Sequence, residues 1–339
     1  LKGVEEGRID YVMIGRGLIA DSHFPNKLLY GREEDIRPCI RCNEYCIGNV
    51  LNGQGLSCAV NARAGAECDF PMVKVRNPKK VIVIGGGPAG LEAARVSALR
   101  GHQVTLFEKT NRLGGQLAMA ATPPFKSQLA KFMEYQKRQV EKLGVKIKLN
   151  RELNANSTEL SESDQIIVAL GAEPFKPSIE GIECGNILDV LEAHQGAKMG
   201  DKIIVCGGGL SGCDFALEQA MEGKNVTIIE MRDKIAFDAL DMNRLSLSKK
   251  LDEYKVKIMT NTKVVKFDNG EIFVEDKSGK EQRLSADTII SAFGMKSRNE
   301  LAKEIADKYP RAKIIGDCDN VAQVGEAVRS GFFAAWGTL

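Results

Sequence analysis

The sequence predicts an α/β chain whose greater part is one dinucleotide-binding unit used twice, preceded by a cysteine-rich loop. Three observations carry this. An apolar strand running into a glycine turn, a helix, a second strand and an acid occurs twice. The landmarks of the first copy, Gly85, Gly87, Gly90 and Glu108, recur 122 positions later as Gly207, Gly209, Gly212 and Glu230. Ahead of both stands Cys39-Ile-Arg-Cys42-Asn-Glu-Tyr-Cys46, followed after eleven residues by Cys58.

In the first copy, Val81–Ile84 reads as a buried strand entering Gly85-Gly-Gly87-Pro88-Ala89-Gly90 and a helix over 91–100. Gly85 allows the tight turn, Gly87 lets backbone N–H groups approach a pyrophosphate, and Gly90 lets helix pack on strand. The phosphates then sit at the positive helix end. A second strand, Gln103–Phe107, ends in Glu108, whose carboxylate can bond ribose hydroxyls, with Lys109 next to it. A lone Gly-x-Gly-x-x-Gly says little; strand, glycines, helix, strand and acid in order specify a dinucleotide. Phe125, Leu129, Phe132, Met133, Gln136, Val140 and Leu143 follow at helical spacing, a core-facing helix that Gly144 ends. A strand over 145–149 and another from Ile166 towards Gly171 complete the unit, and Pro174 and Pro177 mark the crossing to the next.

The second copy runs Ile203–Cys206, Gly207-Gly-Gly209-Leu210-Ser-Gly212, a helix to about Glu222, and Val226–Ile229 closing on Glu230. Thr288–Gly294 mirrors the strand that closes at Gly171. Two tandem Rossmann-like units are the simplest account. Within the second, the Asn269-Gly270 and Ser278-Gly279 turns place a small antiparallel meander over 264–284. After Gly294 the chain returns to the first unit through Lys313-Ile-Ile-Gly316-Asp317 and a helix over 324–331.

Four cysteines suit a tetrahedral zinc or a four-iron cluster, and spacing alone leaves both open. A structural zinc usually takes two Cys-x2-Cys pairs, whereas here three cysteines are bunched and one stands apart. The flanks favour an electron carrier, because phosphate-handling sequence precedes the loop and two dinucleotide units follow it. Disulfides fit poorly with nine cysteines and no signal peptide. Cys68 lies outside the pattern and reads as a free thiol. Upstream, Tyr11–Ile14 reads as a buried parallel strand, followed by Gly15-Arg16-Gly17 and a short helix around Pro25–Leu29. That order matches the phosphate site after the last strand of a (β/α)8 barrel, and on these residues alone it equally describes a strand, turn and helix of no special purpose.

Composition narrows the class. A net charge of +2 with interspersed signs argues against a nucleic-acid partner. No apolar run reaches membrane-spanning length, so a cytoplasmic protein is expected. An apolar content of 43% suffices for two or three cores.

The run Asp10-Tyr-Val-Met-Ile-Gly15-Arg16-Gly17-Leu-Ile-Ala-Asp21 resembles the last barrel strand of the old-yellow-enzyme class of NADH:flavin oxidoreductases, in which the Gly-Arg pair holds the FMN phosphate. Cys39 to Cys58 resembles the iron–sulfur loop of the larger members: 2,4-dienoyl-CoA reductase, 2-enoate reductase and trimethylamine dehydrogenase. Arg112-Leu-Gly-Gly115-Gln116 resembles the turn those proteins set against flavin and pyrophosphate, and Gly316-Asp317 their contact to the FAD ribityl chain. The resemblance implies a 4Fe-4S cluster on Cys39, Cys42, Cys46 and Cys58. It implies FAD held around Gly85, Gly87, Pro88, Ala89, Gly90, Glu108, Lys109, Gly115, Gln116, Gly171, Asp317 and Val324. NAD(H) is then held around Gly207, Gly209, Leu210, Gly212, Glu230, Arg232 and Gly294, and FMN contacts Gly15 and Arg16 in the full-length enzyme. One departure is Arg41, where the family commonly carries Gly; a cation there can alter the cluster's potential.

The implied organisation is a barrel remnant over 1–38, an iron–sulfur loop and linker over 39–76, a FAD domain over 77–174 and 296–339, and an NAD(H) domain over 175–295, similar to the pyridine-nucleotide-disulfide reductases. A barrel needs roughly 200 residues and 38 precede Cys39. The chain is therefore expected to be the reductase portion of a larger enzyme, one that can form a homo-oligomer when intact. It would hold none of the substrate-protonating residues, and the small-molecule substrate would react in the missing barrel, where an activated C=C bond is reduced. FMN is not expected to bind this chain tightly. Three alternatives stand beside that reading: an amine-dehydrogenase-like member whose electrons leave at the cluster, a non-catalytic nucleotide-binding module, and a flavin disulfide reductase. The last lacks a Cys-x-x-Cys pair, since Cys206 and Cys213 frame the glycine loop too far apart and Cys184 stands alone.

Overall fold

A computed structural model describes residues 2–183 and 187–338; Cys184 lies outside them. Two five-stranded parallel sheets dominate. The first has the order Ala312–Ile314, Gln165–Val168, Lys80–Ile84, Gln103–Phe107, Lys146–Lys148. The second repeats it with Ile187–Asp189, Thr288–Ser291, Lys202–Cys206, Asn225–Ile229 and Lys257–Met259. Parallel strands buried on both faces explain why these segments read as unbroken apolar runs. Each sheet accordingly has a core on either side, one around Val83, Leu106 and Phe332 and the other around Ile84, Phe107 and Ile166 in the first.

The chain crosses between the units twice, and the crossings pair: Ala172–Pro174 lies antiparallel to Met295–Ser297. The meander is present as Thr262–Asp268, Glu271–Asp276 and Glu281–Ser285. Both Asn269 and Gly270 have positive φ (35° and 89°), the conformation that a two-residue hairpin turn favours. The core-facing helix runs Ser127–Lys142 and buries Phe132, Met133, Gln136 and Val140. Phe125 lies before it in a short 3-10 turn and is exposed, so it does not join that stripe.

The N-terminal segment departs from expectation. Tyr11–Ile14 forms no strand, and Tyr11 and Met13 are 92% and 99% exposed. A strand needs neighbours to take its N–H and C=O groups and to cover its side chains, and among the described residues no other strand lies beside it. The following short helices, Arg16–Ala20 and Phe24–Leu29, are anchored by buried Asp21, which accepts from Lys27 Nζ (2.6 Å) and from the N–H of Arg37 (2.7 Å). Ala20, Cys58 and Val60 then share a core with Phe132 of the amphipathic helix and Val328 of Val324–Trp336. That core seats the cysteine loop on the first unit.

Candidate functional site: a large cleft beside a four-cysteine cavity

The first and last glycines of each fingerprint are required by contact. A Cβ on Gly85 would stand 2.2 Å from the carbonyl oxygen of Ala169, and one on Gly207 would stand 2.2 Å from that of Ala292. Gly90 and Gly212 approach the carbonyls of Gly85 and Gly207 so closely that a Cβ would lie 1.9 and 2.1 Å away. Helix packs on strand only because side chains are absent there.

Above the first turn lies a cleft of about 480 Å³. Gly85, Gly87, Pro88, Ala89, Glu108 and Lys109 line one side. Gly115, Gln116, Gly171, Asp317 and Val324 are among the other residues that line it. Of the residues assigned to this site from sequence, Gly90 alone does not reach it; it holds the helix against the turn instead. Glu108 is buried and fixed by the N–H groups of Gly86 and Thr110, both at 2.8 Å. Burial pushes the Asp317 carboxyl above the usual carboxylate range, with Glu326 adding to the rise. Two helices, Pro88–Leu99 and Val324–Trp336, start at the cleft with no side-chain cap, so free N–H groups face it. Such a cleft suits an elongated ligand bearing a pyrophosphate.

In the second unit, Glu230 is held in the same way, by the N–H groups of Gly208 and Arg232, both at 2.7 Å. The Arg232 guanidinium lies 3.6 Å over the Phe237 ring. Gly294 is left-handed (φ 98°), and its carbonyl accepts the N–H of Phe175 in the crossing pair.

Cys39, Cys42, Cys46 and Cys58 line one small cavity together with Arg16, Ile19 and Tyr45. All are free thiols. Burial pushes the Cys42 thiol up to about 12 and raises that of Cys58. Among the described residues no three His, Cys, Asp or Glu side chains converge closely enough to hold a single metal ion. Gly15 caps a short helix with open space around it, and Arg16 points to Asn43 of the cysteine loop, which accepts its hydrogen bond. Neither lines the large cleft. Cys206 and Cys213 are fully buried, each pushed up to about 12 by burial, which fits inert core thiols.

Sequence reasoning missed the residues that join these parts. Tyr45 packs on Gly325 and donates to the Glu326 carboxylate, linking the cysteine loop to the helix that opens the cleft. Asn243, on the unanticipated helix Asp241–Glu253, donates to the carbonyl of Cys42 at 2.7 Å and accepts from Asn43 at 3.0 Å. Gln136 donates to the carbonyl of Pro88 at 3.1 Å. Only Gln136 carried a local signal, a polar residue on an otherwise apolar stripe.

The chain belongs to the pyridine nucleotide-disulphide oxidoreductase family, whose profile matches residues 79–324. It is 37% identical over 343 residues to an NADH oxidase of Thermoanaerobacter brockii, covering 99% of this chain and 53% of the relative. It is 34% identical to a cinnamate reductase of Clostridium sporogenes, over 97% of this chain and 50% of that one. A solved 2-naphthoyl-CoA reductase superposes with a TM-score of 0.95 at 35% identity, over 99% of this chain and 52% of that one. The chain thus spans about half the length of the relatives it matches and corresponds to their C-terminal half. Among the described residues no helix is long and apolar enough to cross a membrane.

Proposed function

We propose that the chain is the electron-input portion of a flavin-dependent NADH oxidoreductase, with FAD in the large cleft, NAD(H) on the second unit and a 4Fe-4S cluster in the cysteine cavity. The observation that carries this is the seam at Tyr45 and Gly325. One helix start borders the cleft through Val324 and touches, through Gly325, the tyrosine that lines the cysteine cavity. Four thiols, three bunched in sequence and one apart, line a single cavity, an arrangement that supports a multi-iron cluster over a zinc held by two Cys-x2-Cys pairs.

The residues divide the work. Glu108 accepts from an adenosine ribose while two N–H groups hold its carboxylate still. The free N–H groups at Ala89 and at the start of Val324–Trp336 bind and stabilise negative charge. Gly171 and Pro174 line the same cleft. When bound, the flavin and cluster together convert the nicotinamide's two-electron hydride transfer into single-electron steps. In the whole enzyme, FMN beside Gly15 and Arg16 would supply reduction of an activated C=C bond of the enoate or dienoyl-CoA type.

The visible spectrum of the anaerobically reconstituted protein before and after NADH tests this. Extracted flavin should be FAD, about four irons should be present, and NADH should bleach both bands. Cys42→Ser should lose the iron and keep the flavin. A site filled by one zinc, or flavin that NADH leaves oxidised, would sink the proposal.

A further inference from the structure

The two dinucleotide units keep one register beyond the acids that close their second strands. The N–H of Gly114 donates to the carbonyl of Gly86 at 2.8 Å, and that of Ala236, 122 positions on, to the carbonyl of Gly208 at 2.7 Å. Gly114 and Ala236 are both left-handed, with φ of 116° and 44°. The structural counterparts of Gly115 and Gln116 are therefore Phe237 and Asp238.

That exchange changes what meets the glycine-turn helix. In the first unit Pro88 has no N–H to offer, and Gln116 turns its amide to the carbonyl of Ala172 at 2.6 Å. The cleft stays open above the helix start. In the second unit, Leu210 begins the twelve-residue helix Leu210–Met221, whose N-cap is Gly209 with no side chain to cap it. The carboxylate of Asp238 accepts the N–H of Leu210 at 3.0 Å. A glycine fingerprint presents this donor to a pyrophosphate.

We propose that Asp238 is a gate on the second unit: its carboxylate occupies the pyrophosphate position in the dinucleotide-free protein and swings out when the nicotinamide dinucleotide binds. This rests on the reading of that unit as the NAD(H) site. The helix end favours an anion, and Asp238 supplies one from within the chain. A pyrophosphate and a carboxylate cannot share one N–H, and their like charges repel. The backbone of Asp238 is held from behind, because Gln323 Nε2 donates to its carbonyl at 2.9 Å. Phe237 beside it approaches the Cβ position of Gly209 to 3.9 Å. Opening is thus a rotation of one side chain, with the loop in place. The gate lowers the dinucleotide's apparent affinity by the fraction of molecules in which it is closed, and it refills the donor as product leaves.

Titration calorimetry of NADH and of ADP-ribose with the cofactor-loaded wild type, Asp238→Asn and Asp238→Ala tests this. Asn keeps the acceptor oxygen and loses the charge that strengthens the bond; Ala loses both. Dissociation constants should fall about threefold in Asn and about tenfold in Ala, for both ligands. Wild type that binds, with variants that bind equally or more weakly, overturns the gate alone. Wild type that binds neither ligand overturns the NAD(H) assignment and the gate with it.

Discussion

The ring of Tyr45 lies so close to Gly325 that a Cβ on that glycine would stand 2.2 Å from Cε2 and 3.0 Å from Cζ. The ring cannot simply step aside. Its hydroxyl is bonded to Glu326, its backbone lies between Cys42 and Cys46, and the Arg329 guanidinium sits 5.6 Å from its centroid. Replacing a helical glycine by alanine ordinarily gains up to about 1 kcal/mol, whereas overpacking costs about 1–3 kcal/mol. Gly325→Ala should therefore be net destabilising by about 1–2 kcal/mol and should reduce iron retention in reconstituted protein. A variant of raised thermal midpoint and full iron content would show that the seam is slack.

Arg41 is left-handed, with φ of 61°. That conformation costs an L-residue about 1–2 kcal/mol. Glycine removes the strain but loses about 0.5–1 kcal/mol through its freer unfolded chain. Arg41→Gly should thus stabilise the protein by about 0.5–1 kcal/mol, read as a later urea midpoint. Asn43, with φ of 62°, should not respond alike, because Asn tolerates this region and its side chain bonds Arg16 and Asn243. An earlier midpoint for Arg41→Gly would count against strain at this position.

What could be read from the sequence were contacts that a residue type enforces locally. Gly85, Gly90, Gly207 and Gly212 each face a carbonyl where no Cβ fits, so turn and helix position were legible from glycine spacing alone. Helix Asp241–Glu253 was not legible. It has no apolar stripe, Leu245 is 68% exposed, and only Leu251 is buried. Its link to the site is a polar one, from Asn243 to Cys42 across 201 residues, which no local pattern encodes. Tyr11–Ile14 failed for the opposite reason. Its composition suits a strand, but a strand exists only with partners, and sequence composition does not supply them.

Glu92 and Arg95 form a bidentate pair on the fingerprint helix, at 2.8 and 2.6 Å, with Glu92 only 1% exposed. Burial alone would raise the Glu92 carboxyl, but Arg95 outweighs it and holds the group below the usual glutamate range. A carboxyl depressed in the folded state contributes stability that is complete above its unfolded value of 4.5 and is lost as pH falls through the lower folded value. Urea midpoints of the wild type should therefore drop below about pH 4.5. Glu92→Gln leaves the buried guanidinium uncompensated, at a cost of about 3–5 kcal/mol at neutral pH, and should flatten part of that acid slope. A variant within about 1 kcal/mol of wild type at pH 7 would refute the role given to the pair.

The nicotinamide preference turns on Glu230 and Arg232. Two N–H groups at 2.7 Å fix the Glu230 carboxylate, which retains acceptor capacity for the hydroxyls of an adenosine ribose. A 2′-phosphate there would set like charges about 4 Å apart, at a cost of a few kcal/mol at protein-surface dielectric. Arg232 could offset this, as an arginine in this loop does for a 2′-phosphate. Its guanidinium is stacked 3.6 Å over Phe237, however, and leaving the ring costs about 0.5–1 kcal/mol at an exposed site. The balance favours NADH by about a hundredfold, since each 1.4 kcal/mol or so is tenfold. Stopped-flow bleaching of the bound flavin should show that gap. Glu230→Ala should narrow it by removing the repulsion, and Phe237→Ala should narrow it by freeing Arg232. Faster reduction of the wild type by NADPH than by NADH would reverse the assignment, and with it the reading of Glu230 as the ribose acceptor.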